Sequence, residues 1–294
     1  MRAKHLIQDA YGNTTDELQA QKLLLEVVRK DSAFAPAYVQ LASVTAALGY
    51  ISNNEYAPEA LQSQQEYVKK ALALESDYDE AIALMGFSKM MQGDLTGADP
   101  YYARLVKSGS EYPYLWAQMS ELEVKRKNFE KAVELATAGY DRHKSDSKLA
   151  ADDVTQILIA YDDFPGDHRD EMEKWQSKRT ELRPDVAWFW GDHARFRLYF
   201  MFDYEGAIKY GTKALSLMRY GMGESYLAAA YFLKWALLKD APTTKADAEK
   251  AFQSGREIDP SGSSIDRFFY YYPVLRPARE QALARLKSDG KTLR

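Results

Sequence analysis

Apolar and small residues along this chain fall at helical spacing, and between Gly86 and Ala136 the pattern repeats at an interval of 34 residues. Met85 and Gly86 return as Met119 and Ser120, Leu95 as Phe129, Ala98 as Ala132, and Tyr102 as Ala136. Apolar positions spaced by three and four mark amphipathic helices, not strands. Two units, 77–110 and 111–144, each hold a first helix, a short turn at Gly93-Asp94 or Lys127-Asn128, and a second helix returning antiparallel. Glycine stops a helix because it accepts the left-handed backbone at the end, and Asp or Asn caps the next start. Small residues at Gly86/Ser120 and Ala98/Ala132 let paired helices approach, while Trp116, Met119 and Phe129 fill the space between them. Helix pairs of this kind bury their core by stacking on one another.

The stretch Trp116-x-x-Met119-Ser120, followed by Asn128-Phe129-Glu130-Lys131-Ala132, resembles the tetratricopeptide repeat family, as does Asp203-Tyr204-Glu205-Gly206-Ala207 with Ala214 seven residues on. Lys30-Asp31-Ser32, Leu74-Glu75-Ser76, Leu182-Arg183-Pro184 and Ile258-Asp259-Pro260 are four versions of one helix-ending phrase. The resemblance implies an all-α fold, a right-handed helix-pair solenoid or superhelix with a C-terminal capping helix. Its expected layout is an N-terminal extension over 1–15, a half unit over 16–32, and units at about 35–76, 77–110, 111–144, 147–184, 186–219 and 222–260. The tail at 261–294 supplies an aromatic run, Phe268–Tyr272, and a helix suited to cap the stack. Leu275–Gly290 loosely resembles the ends of bacterial repeat modules, which points to a bacterial chain.

The period is not uniform. Leu41 to Met85 spans 44 residues, with the surplus in Gly49–Pro58, read as a polar turn. Two later units run to 41, with their surplus near Tyr161–Asp167 and Lys239–Asp247. Long inter-helix loops cost little stability and often carry contacts.

Composition narrows function mostly by exclusion. The chain has 294 residues, 46% hydrophobic and 28% charged, which is a globular balance. A net charge of -4 argues against nucleic acid as partner, since phosphate binding needs a basic face. No cysteine is present, which removes thiolate catalysis and Cys-ligated metals. No apolar run approaches the roughly 20 residues needed to span a bilayer. The N-terminal residues carry no apolar leader core, so the expectation is a cytoplasmic protein or a periplasmic one whose leader is not in this chain.

Candidate chemistry is sparse. His5, His143, His168 and His193 are scattered and make no metal-binding pair. Asp162, Asp163, Asp167 and His168 share a loop but lack the ligand spacing of a calcium site, so a solvated acidic loop is the plainer reading. Asp192 beside His193 suggests a dyad, yet no serine has the glycine context of a nucleophile. Gly221-Met-Gly223 has no preceding strand, which excludes a dinucleotide loop. The residues therefore predict no enzyme, no cofactor and no metal.

What the family resemblance does imply is a groove lined by first helices. Carrying its phase over residue by residue gives Phe87, Met90 and Met91 in one unit, and Glu121 and Lys125, with Ala117 and Val124, in the next. The Trp190 unit gives Asp192, Phe196, Tyr199 and Phe200, with Phe189, although Arg195 stands where a small residue belongs. The following unit offers Tyr231, Lys234 and Trp235, with Leu227. Aromatic side chains give large contact area at low entropy cost, so this lining suits a peptide or partner protein with apolar anchors. Lys and Asn of a carboxylate clamp are missing, because Val39 and Ser43 occupy those positions. The expectation is a non-catalytic protein-interaction scaffold. Its alternatives are a self-associating structural component, a homo-oligomer among them, or a small-molecule sensor.

Overall fold

A computed structural model describes residues 14–52, 55–238 and 245–260, with the isolated positions 280 and 284. Most of the expected N-terminal extension, the aromatic run Phe268–Tyr272 and the capping helix lie outside the described residues, as does 239–244. The chain divides into two compact units, Met1–Gly139 and Tyr140–Arg294.

The first unit contains α1 (Thr14–Lys30), α2 (Ala35–Leu48), β1 (Tyr50–Ser52), β2 (Glu55–Tyr56), α3 (Pro58–Leu74), α4 (Asp79–Met91), α5 (Leu95–Ser108), α6 (Leu115–Lys125) and most of α7 (Phe129–His143). From α1 to α6 each helix packs on the next, and the first helices α2, α4 and α6 also touch in succession. That second set of contacts is what makes helix pairs a stack instead of separate hairpins. Gly86 explains one close approach. A Cβ there would stand 3.0 Å from the Tyr102 ring, so the α5 tyrosine lies directly on the α4 backbone. Ser120 does the same work by another route, its buried hydroxyl donating to the Ala132 carbonyl at 2.8 Å. Ala98 and Ala132 are wholly buried.

The surplus at Gly49–Pro58 is not a plain polar turn. It forms a two-stranded antiparallel hairpin in which Tyr50 pairs with Tyr56 and Ser52 with Glu55. The two tyrosine rings meet edge to face at 5.5 Å, and the Ala57 N–H donates to the Gly49 carbonyl at 2.8 Å to close the base. Aromatic cross-strand pairs stabilise short hairpins, which is the force the polar-turn reading left out.

The second unit contains α8 (Ser147–Asp162), α9 (Arg169–Leu182), α10 (Ala187–Tyr199), α11 (Tyr204–Leu217), α12 (Gly221–Leu238) and α13 (Lys245–Ile258). Each packs on the next, and α10 meets α12. Caps fix the starts: Asp146 accepts from the Lys148 and Leu149 N–H groups, and Asp203 from the Gly206 N–H at 2.9 Å. Asp94 caps α5 in the same way, accepting from Gly97 at 2.9 Å. Among the described residues no helix is long and apolar enough to cross a membrane.

Candidate functional site

In the first unit the half-buried Phe87 of α4 meets Tyr56 of the hairpin edge to face at 5.6 Å. Burial, and secondarily the Glu121 and Tyr50 charges, push the Tyr56 hydroxyl up to about 12. Glu121 on α6 is itself half-buried, and desolvation raises its carboxyl above the usual range against the pull of Lys125. Met91 is half-buried and Lys125 is exposed. Met90 corrects the expectation: it is 1% exposed, packed with Leu105 and Leu122, and cannot line a solvent-facing groove.

Ala117 in the first unit and Phe189 and Leu227 in the second are buried as well, and two large aromatics of the second unit's expected groove belong to the core. Phe196 is fully buried beside Val154, Leu158 and Met172, and Trp235 is buried against Phe232 and Phe252. Asp192, Tyr199, Phe200, Tyr231 and Lys234 stay half-buried, with Lys234 paired to Glu205 at 2.6 Å.

A one-residue register change explains Phe196. In the turn after α4, the Asp94 N–H donates to the Lys89 carbonyl five residues back at 3.0 Å, and Asn128 donates likewise to Glu123 at 2.8 Å. After α10 the Asp203 N–H reaches six residues back, to Arg197, at 2.9 Å. That turn carries one extra residue, so the position matching Gly86 and Ser120 is Ala194, which is fully buried. Arg195 then leaves the close-packed position and, half-buried, bonds Asp162 at 3.0 Å, while Phe196 lies in the core.

The same turn holds an aromatic in an awkward backbone. The residue before Asp94, Asn128 and Asp203 is left-handed in all three turns: Gly93 at φ 82°, Lys127 at 63° and Phe202 at 53°. Such a conformation disfavours a side-chain-bearing residue by about 1–2 kcal/mol. Phe202 is nevertheless 56% exposed, so core packing does not account for it.

Phe202 stands at the rim of a cleft of about 390 Å³ made by the end of α8, the 163–168 loop, the start of α9 and the α10–α11 turn. Tyr161, Phe164, Tyr199, Phe200 and Phe202 line it, with Met172 at its base. Tyr161 stacks on Phe164 at 6.1 Å, and Phe164 meets the His168 ring tilted by 33° at 4.4 Å. The His168 Nε2 lies 3.2 Å from the Pro165 carbonyl, and Gly166 at φ 121° lets the loop close over the ring. Desolvation raises the Asp162 carboxyl, opposed by Arg195, whereas the Arg169 guanidinium bonded to Asp167 at 2.7 Å holds that carboxyl down at about 2. Among the described residues no His, Asp and Glu group is placed to hold a metal ion. The loop surplus pointed to this region, but Phe202 was missed; an aromatic directly before a capping Asp was the available signal.

A buried polar network stands behind the α10 face. Arg179 of α9, 3% exposed, donates to Asp192 at 3.1 Å and to Gln176 at 2.9 Å, and its guanidinium lies 4.6 Å over the Phe189 ring. His193 does not face its sequence neighbour Asp192. Adjacent helical residues point about 100° apart, and the His193 Nε2 lies 3.2 Å from Glu173 while the ring stacks on Tyr210 at 3.9 Å. Burial lowers the imidazole to about 4, against the opposing pull of Glu173, so the ring is neutral at neutral pH.

These elements define a helix-pair repeat protein. Its fold is that of the tetratricopeptide repeat proteins. The chain superposes on the C-terminal part of a TPR repeat-containing protein from Cytophaga hutchinsonii with a TM-score of 0.54 and 15% identity, covering 90% of this chain and 97% of that one. The human IFIT1 dimer with m7Gppp-AAAA matches with a TM-score of 0.56 and 14% identity over 94% of this chain; the chain spans 61% of IFIT1's length. YrrB, described as a TPR protein with an unusual peptide-binding site, matches with a TM-score of 0.42 and 15% identity over 68% of this chain and 95% of YrrB. No family model matches the sequence, and no curated protein matches it.

Proposed function

We propose that this chain is a non-catalytic scaffold that holds an extended peptide, or a segment of a partner protein, along the faces of its first helices. One observation carries the reading. Asp192 is 37% exposed on the α10 face while the almost fully buried Arg179 fixes its carboxylate from behind. A carboxylate oriented before binding can accept N–H groups from a partner without losing rotamer freedom on complex formation. Tyr199 on the same helix adds half-buried aromatic area nearby. The separation of Asp192 from His193 supports a binding role over an Asp–His dyad, since the histidine is paired with Glu173 and stacked on Tyr210. The capped RNA that accompanies IFIT1 is a poor guide to the ligand here, because a net charge of -4 opposes phosphate.

Affinity capture with the wild-type chain, Asp192→Asn and Tyr199→Ala tests the proposal. Asparagine still offers Arg179 an oxygen acceptor but leaves that buried guanidinium without its counter-charge, so this variant should melt below wild type and capture is run at a temperature where circular dichroism shows both variants folded. Partner recovery should fall in both variants. Recovery equal to wild type in both would overturn the first-helix reading.

A further inference from the structure

We infer that the aromatic cleft between the 163–168 loop and the α10–α11 turn receives a lysine or arginine side chain of the bound partner. The inference rests on the scaffold reading and names where one contact is made and what charge it carries.

Three features converge on it. Five aromatic side chains, Tyr161, Phe164, Tyr199, Phe200 and Phe202, border a cavity of about 390 Å³, and ring faces attract cations through their quadrupole. Asp162 and Asp167 line the cleft beside Arg169, and three further carboxylates act on its lining residues: Glu171 on Tyr161, Asp163 on Asp162 and Asp170 on Arg169. Arg169 is already engaged by Asp167 at 2.7 Å and Arg195 by Asp162 at 3.0 Å. Dipole complementation explains Asp170 and Glu171 in the first turn of α9. It does not explain Asp163, which closes the C-terminal end of α8, where a negative charge is disfavoured. Finally, Phe202 keeps a left-handed backbone at a turn position filled elsewhere by Gly93 and Lys127, and 56% of it is exposed. An aromatic that strains the turn without filling the core is explained by a contact outside the chain.

The cleft is polarised to match such a side chain. Apolar walls suit the methylene stem, and the acidic loop suits the charged head. An acidic partner would meet like charge, and a purely apolar one would leave the carboxylate rim without use.

Random nonapeptides selected on the immobilised full-length chain, then synthesised and measured by fluorescence anisotropy, provide the test. The measurements compare wild type, Phe202→Asn, Phe202→Tyr and Asp192→Asn. Asparagine tolerates the left-handed backbone, so the turn survives loss of the ring. Enriched peptides should contain Lys or Arg, and replacing that residue by norleucine should weaken binding by about tenfold. Phe202→Asn should cause a similar loss, Phe202→Tyr should retain binding, and added salt should weaken it. Selected peptides without a required basic residue, or binding unmoved by Phe202→Asn, overturn the inference. If Asp192→Asn alone abolishes binding, the first-helix reading stands and the cleft inference falls; if Phe202→Asn alone does so, the reverse holds. Recovery of no binding peptide overturns both.

Discussion

The placement of Phe196 rests on a single extra residue in the α10–α11 turn, and it can be tested by exchanging which side chain is truncated. Without that residue, Arg195 would occupy the close-packed position and Phe196 the outer face. With it, Ala194 is the fully buried small residue, and Phe196 is fully buried and stacked on Phe200 at 5.5 Å. Phe196→Ala removes a whole ring from the core and should cost about 3–5 kcal/mol. Ala194→Leu forces three extra carbons into a closed contact and should cost about 1–3 kcal/mol. Arg195→Ala breaks an ion pair whose partners are 17% and 34% exposed, worth no more than about 1 kcal/mol. For a unit of this size each kcal/mol moves the melting temperature by roughly 2–4 °C. Thermal melts followed by circular dichroism should therefore fall by on the order of 10 °C for Phe196→Ala. Arg195→Ala should stay within about 4 °C of wild type. Amide exchange should localise the Phe196→Ala loss to α8, α9 and α10. Near-native melting of Phe196→Ala alongside a large drop for Arg195→Ala would refute the register.

Three further outcomes follow from the same geometry. His193 sits with its imidazole at about 4 in the folded chain against about 6.5 unfolded, so its stabilising contribution is complete above pH 6.5 and lost as pH falls toward 4. The loss amounts to about 3 kcal/mol. Because the raised Asp153 carboxyl works in the opposite direction, the measurement is the difference in urea stability between wild type and His193→Phe across that window; a flat difference would contradict it. Asp94→Ala and Asp203→Ala each remove a side-chain cap at 2.9 Å. Each should cost about 1 kcal/mol, read as earlier exchange of the first amides of α5 and α11. Gly86→Ala presses a methyl to 3.0 Å from the buried Tyr102 ring. It should destabilise the first unit by about 1–3 kcal/mol in denaturant titration, and a neutral result would mean Tyr102 yields freely.

The all-helical repeat was readable because its evidence is redundant. Gly86, Ser120, Ala98 and Ala132 recur with the same spacing; Gly86 meets the Tyr102 ring, Ser120 bonds the Ala132 carbonyl, and both alanines are wholly buried. Side-chain direction was readable only where that count is unbroken. One added residue rotates a helical position by about 100°, enough to carry Phe196 from a surface to a core. Counting from alanine to alanine cannot locate such an insertion, since the turn and the loop before it contribute to the same total. Met90 and Trp235 were misjudged for a different reason: apolar residues at helical spacing fit a core and a groove equally well. The hairpin was legible in principle, from the Tyr-Ile-Ser and Glu-Tyr segments flanking Asn53-Asn54. Its tyrosine pair outweighed the polar character of the turn. The cleft combines loop and turn residues about 40 positions apart, from Tyr161 to Phe202, and a reading by unit does not bring those together.

The left-handed residue in the turns before α5, α7 and α11 is a substitutable address. A side chain at Gly93 would meet nothing within 4 Å, and Lys127 and Phe202 are both exposed. The hydrogen bonds that close these turns come from the backbone, so the residue's chemistry can change at a local cost while the packed helices stay as they are. Specificity can thus be rewritten turn by turn, which makes these positions sensible places to install a reporter fluorophore or to graft a new contact.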